Sequence, residues 1–505
     1  MKILMGLDLG TTAMKIALFD EQGKILAFST QEYDLLTPQT NYVEEKPEVY
    51  WKAFQDGIAD LRSQYFLSEV TEIAMAMSAQ GETLFVLDRE GNPLRNAIVW
   101  MDNRAIEEAK ELEERFGNDV CYQKTGQVSF EACWPASKIL WIRKHEPEVF
   151  AEADKFLLIE DYFIYRLTGK YTTEPSLVCS STYWDIIDRK YWKEMLDYLG
   201  IEERQLAAVA ESGNVVGRIL PEVAESLGIT KNLTICTGAL DQAAGAIGAG
   251  NIRQRMFSET IGAALAVCVP VNEPVFDPAG KMPLFCFPLK NMYMIHTFTN
   301  GGMTLRWFRD KFCELEMLAE KKGCGDAYDM ISSQAASVPA GSDGLIMLPH
   351  LAGALAPDVN ARAKGVWFGF TLQHTKAHFM RAIMESLGYI LKRNIDSLND
   401  MGIKVKEIRS LGGGSKSKVW SQIKADINQV TLETVKSKEA AALGAAILAG
   451  TAMGVFQSVE NAVERMVEVK DRIVPSEEHK EVYREGYLMY NQLFADLAGC
   501  FDKTR

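Results

Sequence analysis

At 505 residues the chain is too long for one compact core, so two large domains are expected. It is 47% hydrophobic and 24% charged, ordinary for a folded globular protein. A formal charge of −14 excludes nucleic acid and anionic membrane as bulk partners, though not a small anion held by a few local donors.

The first residues, Met1 to Asp8, read directly into a strand, with no basic segment and apolar core of the secretory kind. No apolar run has the length of a bilayer span; the longest, around Ile261 to Val271, reads as buried strand. The nine cysteines are scattered without a close Cys-x-x-Cys pair and read as core residues of a reducing, cytoplasmic compartment.

Residues 3–9, 15–20 and 24–29 are short apolar runs broken by Gly10-Thr11-Thr12-Ala13 and Glu21-Gln22-Gly23, a meander of strands. Helical periodicity runs from Pro47 to Tyr65, and a strand from Ile73 to Ser78 leads into Ala79-Gln80-Gly81-Glu82-Thr83. Strands and helices continue to Asp241, followed by the glycine-rich stretch Gly245 to Gly250. The pattern then restarts, with Met256 to Ile261 as strand, Gly262-Ala263-Ala264 as turn and Leu265 to Val269 as return strand. Ile261-Gly262-Ala263-Ala264-Leu265 echoes Leu9-Gly10-Thr11-Thr12-Ala13. The echo suggests two related domains, residues 1–250 and 251–505. The tail from about Pro475 reads as a charged surface helix.

Six segments carry candidate chemistry. In Asp8 to Lys15, backbone N–H groups at a tight glycine turn, two hydroxyls and a lysine can converge on phosphate oxygens, with Asp8 able to hold Mg²⁺ through its waters. An ordinary polar hairpin fits the segment equally well. Leu411-Gly412-Gly413-Gly414-Ser415-Lys416-Ser417 joins a strand to a helix with Val419, Trp420, Ile423 and Ile427 on its inner face. Its glycines admit a flat ligand to the backbone, and a flexible turn is the plainer alternative. Thr234 to Gly245 is a strand running into a small-residue helix. There Asp241 suits a base taking a proton from a hydroxyl that attacks phosphorus, and equally a helix cap, the commoner task. Gln80 and Glu82, flanking Gly81, suit hydrogen bonds to polyol hydroxyls. In Trp100-Met101-Asp102-Asn103-Arg104, an Asp102–Arg104 ion pair competes with a substrate role. Asn300-Gly301-Gly302 is a turn or a cleft wall before a helix from Met303 to Phe312. The six histidines have no metal-ligand spacing.

In this order and spacing, the segments resemble the FGGY family of carbohydrate kinases, with an overall likeness to its xylulokinases, across nearly the whole chain. Asp8 to Lys15 looks like the family's first phosphate loop, and Lys138-Ile139-Leu140-Trp141-Ile142-Arg143-Lys144-His145 is similar to the core of its first signature. Gly365 to Gly369 through Ala382 to Glu385 resembles its second signature. Gly412-Gly413-Gly414 looks like its adenosine segment and Glu439 to Ala446 like the small-residue helix that follows. The resemblance implies an α/β, actin- and hexokinase-like (ribonuclease H-like) fold, whose two domains close on a central cleft for ATP and sugar. It implies Asp241 as catalytic base and Asp8 as the Mg²⁺-side carboxylate. Thr11, Thr12, Lys15, Gly262, Gly412, Gly413, Gly414 and Ser417 then face ATP, and Gln80, Glu82, Asp102, Asp241 and Gln242 face the sugar or polyol. A homodimer is common in the family.

Departures blur the substrate. Gln80 stands where xylulokinases often carry histidine, and Gln80-x-Glu82-Thr83 with Asp241-Gln242 looks like glycerol kinases, but Gly81 replaces their arginine. Asn300-Gly301-Gly302 with Leu305-Arg306-Trp307 is similar to some gluconate kinases. Cys133 departs from the first signature, and Ala263-Ala264 replace the hydroxyl residues usual after Gly262. A pentulose such as xylulose leads, with other ketoses, glycerol-like polyols and gluconate as alternatives. The rival classes are a non-catalytic sugar- or ATP-binding protein and an actin- or chaperone-like ATPase.

Overall fold

The computed structural model describes residues 2–503, the side chain of Glu69 aside. Two seven-stranded sheets dominate it. The first is built on β1 (Ile3–Leu9), β2 (Ala13–Phe19), β3 (Ile25–Glu32), β4 (Ile73–Ala79) and β5 (Leu233–Cys236), in the order β3-β2-β1-β4-β5. The second is built on β6 (Met256–Ile261), β7 (Ala264–Val271), β8 (Tyr293–Asn300), β9 (Glu407–Gly412) and β10 (Thr431–Val435), in the order β8-β7-β6-β9-β10. Each opens with an antiparallel meander, then adds two strands parallel to its first. Val215–Arg218 and Val469–Ile473 close equivalent edges as antiparallel strands. The echo between the two glycine turns is therefore a topological repeat.

In the first sheet the parallel strands are the most buried. All of β4 and nearly all of β1 are buried, as expected where helices cover both faces of a sheet. Beside the first sheet lies a small four-stranded one that includes Leu84–Leu87 and Lys155–Leu158. The helices used below are α1 (Pro47–Gln64), α2 (Pro135–His145), α3 (Asp241–Gly248), α4 (Met303–Phe312), α5 (Lys418–Asn428), α6 (Ala440–Ala452) and α7 (Lys480–Phe501). Both glycine turns are tighter than the sequence implies. Ala13 and Ala264 already pair in β2 and β7, because Ala13 sits opposite Glu32 and Ala264 opposite Asn300. No helix among the described residues is long and apolar enough to cross a membrane.

The two lobes meet where α3 crosses α6. Both are made largely of Ala and Gly, and their backbones touch. A Cβ on Gly248 would overlap the Ala440 carbonyl oxygen, and one on Gly444 would overlap that of Ala244. The same α6 lies on β1, where a Cβ on Gly6 would overlap the Ala442 carbonyl oxygen. Glycine is required here for close approach, since overpacking a dense core forces the backbone apart. Gly444→Ala is expected to destabilise the protein by about 2 kcal/mol or more. Gly499→Ala, on the exposed face of α7 with open space around it, should be neutral or stabilising by about 0.5–1 kcal/mol. Urea denaturation of both variants checks the contrast.

Candidate active site

Parallel pairing brings the polar residues together. Leu9 is opposite Ala79 in the β1–β4 pair, and Leu240 is opposite Ala79 on the other side of β4. The loop Gly10–Thr12, the segment Gln80–Thr83 and the start of α3 at Asp241 therefore emerge at neighbouring strand ends, where open α/β sheets place their ligands. In the second lobe Ile261 is opposite Gly412, so the Gly262 turn and the Gly412–Gly414 loop also emerge side by side.

Asp8 is half-buried. Its Oδ1 accepts from Ser78 Oγ at 2.9 Å, which register explains because Asp8 and Ser78 are direct partners across β1 and β4. Its Oδ2 has no partner among the described residues. Burial raises its pKa above the usual carboxylate range, against the Ser78 hydroxyl and the Lys15 charge. Asp241 is the first residue of α3, and Leu240 takes the cap position. Its Oδ1 accepts from the Gln242 N–H at 2.6 Å. Burial first, then the charges of Asp8 and Glu82, push the Asp241 carboxyl up to about 7. Asp241 thus feels the charges of both Asp8 and Glu82. Glu82 is itself raised by burial, against the Ser180 hydroxyl and the Lys138 charge.

The backbone leading to Asp241 is pinned. Gly238 N–H donates to Glu160 Oε1 at 2.6 Å. Leu240 N–H donates to Ser176 Oγ at 3.0 Å, and that hydroxyl donates to Glu174 Oε1 at 2.7 Å. All three supporting side chains are fully buried.

The first glycine turn is clamped from outside. Gly10 N–H closes it on the Ala13 carbonyl at 3.1 Å. The Tyr33 hydroxyl donates to the Gly10 carbonyl, and Trp100 Nε1–H donates to Thr11 Oγ1 at 2.8 Å. Gln80 Nε2 reaches the Gly10 carbonyl at 3.4 Å, and Gln80 Oε1 is buried without a partner. The N–H groups of Thr11, Thr12 and Ala263 have no partner among the described residues. Such free amides at a turn are donors for an anion, and Ala263 keeps its amide although it carries no hydroxyl. Lys15 Nζ is paired with Glu439 Oε2 at 3.0 Å, across the lobes at the start of α6. In the second turn the carbonyls of Gly262 and Ala263 accept from Gly302 and Met303 at 3.0 Å, so Asn300-Gly301-Gly302 braces this loop as well as starting α4. Gly412 has φ +74°, and both it and Gly414 pack on Ile261, too close for a Cβ.

Two expected contacts look different in three dimensions. Asp102 has no exposed surface, and its oxygens accept from Val43 N–H and from the backbone N–H, Nε and Nη2 of Arg104 at 2.8–2.9 Å. A carboxylate with every lone pair used offers nothing to a sugar hydroxyl, so the Asp102 substrate role gives way to the ion pair. Ser417 caps α5, its Oγ accepting from Trp420 N–H at 3.1 Å and from Ser332 Oγ at 3.0 Å, which leaves only its proton for a ligand. Sequence reasoning gave Tyr33, Trp100, Ser78 and Glu439 no contact at the site. Trp100 and Glu439 stood in segments it singled out, the register of Ser78 with Asp8 offers a signal for Ser78, and nothing local marks Tyr33.

Residues 3–248 match the N-terminal domain, and residues 272–453 the C-terminal domain, of the FGGY family of carbohydrate kinases. The chain belongs to this family. It is an ATP-dependent carbohydrate kinase. The kinase is 30% identical to a xylulose kinase of Staphylococcus epidermidis, over 98% of this chain and 96% of that protein. It is also 30% identical to a gluconokinase of Bacillus licheniformis, over 95% of this chain and 93% of that one. The solved structure of a ligand-bound xylulose kinase from Lactobacillus acidophilus superposes with a TM-score of 0.90 at 28% identity, over the whole of both chains.

The Asp241 shift makes a stability prediction for the kinase. Between the ordinary value of 3.8 and about 7, the folded chain holds a proton that the unfolded chain has lost, so stability falls as pH rises through that window. The full penalty is present above pH 7. Asp241→Asn should raise Tm by about 1–3 °C at pH 8, with a gain that shrinks toward pH 4. Thermal melts across that range check the sign.

Proposed function

We propose that the kinase transfers the γ-phosphoryl group of ATP to a hydroxyl of a pentulose such as xylulose, with Asp241 as the base. The single observation that supports this most is Asp241 at a strand end beside Gly10–Thr12 and Gln80–Thr83, its carboxyl pushed up to about 7 by burial first and then by the charges of Asp8 and Glu82. A base of that strength matches its task at physiological pH. Asp241 accepts the substrate's hydroxyl proton as that oxygen bonds to the γ-phosphorus and the bond to the ADP oxygen breaks. Gln80, through its free carbonyl oxygen, and Glu82 orient the sugar, and Gln242 keeps the Asp241 carboxylate aimed. The free amides of Thr11, Thr12 and Ala263 hold phosphate oxygens, and Lys15 leaves Glu439 to join them. Gly262 and Gly412–Gly414 let the nucleotide approach the second lobe's backbone. Lobe closure excludes water as a competing acceptor.

The donor set suits Mg²⁺. Asp8 offers one oxygen without a partner among the described residues, and Mg²⁺ takes few protein ligands together with water and phosphate. Held near Asp8, it would neutralise charge on the phosphates.

The named relatives include both xylulose kinases and gluconokinases. The Asp8–Glu82–Asp241 cluster favours a neutral sugar, because an aldonate would bring a fourth carboxylate toward three. A coupled ADP assay across pentuloses, hexuloses, polyols and aldonates decides the substrate. The expected outcome is sugar-dependent ADP release, greatest with a pentulose. Preference for an aldonate would sink the pentulose reading, and ADP release indifferent to any sugar would sink the site. kcat/KM should rise tenfold per pH unit up to about 7 and then level, as the base loses its proton. Asp241→Asn should lose about 10³-fold in kcat while keeping the thermal shift caused by ADP.

A further inference from the structure

Lys138 opens the α2 segment that matches the family signature, yet phosphoryl transfer as derived above gives it no task. Its side chain has no exposed surface. The ammonium donates to the Glu82 carbonyl at 2.8 Å and to the Val99 carbonyl at 3.0 Å. A fully buried lysine is rare, because stripping water from an ammonium is unfavourable unless strong acceptors replace it. An apolar side chain of similar length would fill the space without that penalty. The charge is therefore explained by what it grips.

One of the two carbonyls belongs to a strained turn. Thr83 N–H donates to the Gly81 carbonyl at 2.7 Å, closing a γ-turn with Glu82 at its centre. Glu82 has φ +59°, a left-handed conformation that glutamate rarely adopts, and γ-turns of this hand are rare and strained. Such a conformation persists only where its surroundings over-determine it. The other carbonyl, of Val99, precedes Trp100, whose indole holds Thr11. One ammonium thus ties the Glu82 turn to the segment that braces the phosphate loop.

We infer that Lys138 is a positioning residue for sugar binding: by holding the carbonyls of Glu82 and Val99, it maintains the strained turn that presents the Glu82 carboxylate to the substrate. The inference rests on Glu82 being a sugar ligand. It accounts for a buried charge that pairs the Glu82 carbonyl, and for a γ-turn that no glycine relieves.

The test is a double-mutant cycle of Lys138→Met and Glu82→Gln, read as KM and kcat for the sugar, KM for ATP and the thermal shift caused by ADP. Lys138→Met should raise the sugar KM about tenfold or more and lower kcat/KM for the sugar about 10²-fold, with the ATP KM and ADP shift within about twofold of the parent. In the Glu82→Gln background the same substitution should cost less than about threefold further, because both act through one carboxylate. Additive losses, an equal rise in both KM values, or a sugar KM unchanged in Lys138→Met would overturn the role of Lys138 and leave Glu82 in place. Parent-like sugar kinetics in Glu82→Gln would instead remove Glu82 from the sugar site, and this inference with it. Where Lys138→Met does not fold, Lys138→Gln, which keeps a donor for one of the two carbonyls, takes its place in the cycle.

Discussion

The contact between the backbones of α3 and α6 organises the molecule. Gly248 against Ala440, and Gly444 against Ala244, leave no room for a side chain, so the two lobes meet at a joint of bare helix rather than across a cushion of side chains. The N-terminus of each helix carries a residue of the site. α3 begins with Asp241, and α6 is preceded by Glu439, the partner of Lys15. Any relative motion of the lobes is felt at both helices, and so at Asp241 and at Lys15 together.

Charge placement is the second organising fact. Asp8, Glu82 and Asp241 are all held above the ordinary carboxylate range by burial, and the charges of Asp8 and Glu82 raise Asp241 further. A stability optimum would remove them. Their persistence at neighbouring strand ends, pinned from behind by Ser78, Ser176, Glu160 and Glu174, is the pattern of a site that trades stability for chemistry.

Much of the candidate site was legible because its residues cluster in short segments at strand ends, where alternation and turn chemistry leave a local trace. Asp8, Gly10, Gln80, Asp241 and Gly412 were singled out as candidates in that way. Asp102 shows the limit: the same pentapeptide reads as substrate ligand or as ion pair, and only the Val43 N–H and the Arg104 guanidinium around it decide. Tyr33, Trp100 and Lys138 lie 23, 89 and 56 residues from the atoms they hold. No spacing rule spans such separations.

The sequence by itself determined the strands, the glycine turns, the repeat of one topology in two halves and the family, because these follow from local hydrophobic period and from residue types at fixed short offsets. Tertiary structure decided which polar groups meet: Lys15 with Glu439, Trp100 with Thr11, Lys138 with the strained turn at Glu82, and Asp241 with the charges of Asp8 and Glu82. The reason is geometric. Period and propensity act over a few residues, whereas hydrogen bonds and charge interactions act over a few ångströms, and only the packing of the sheets and the crossing of α3 on α6 turn one measure of distance into the other.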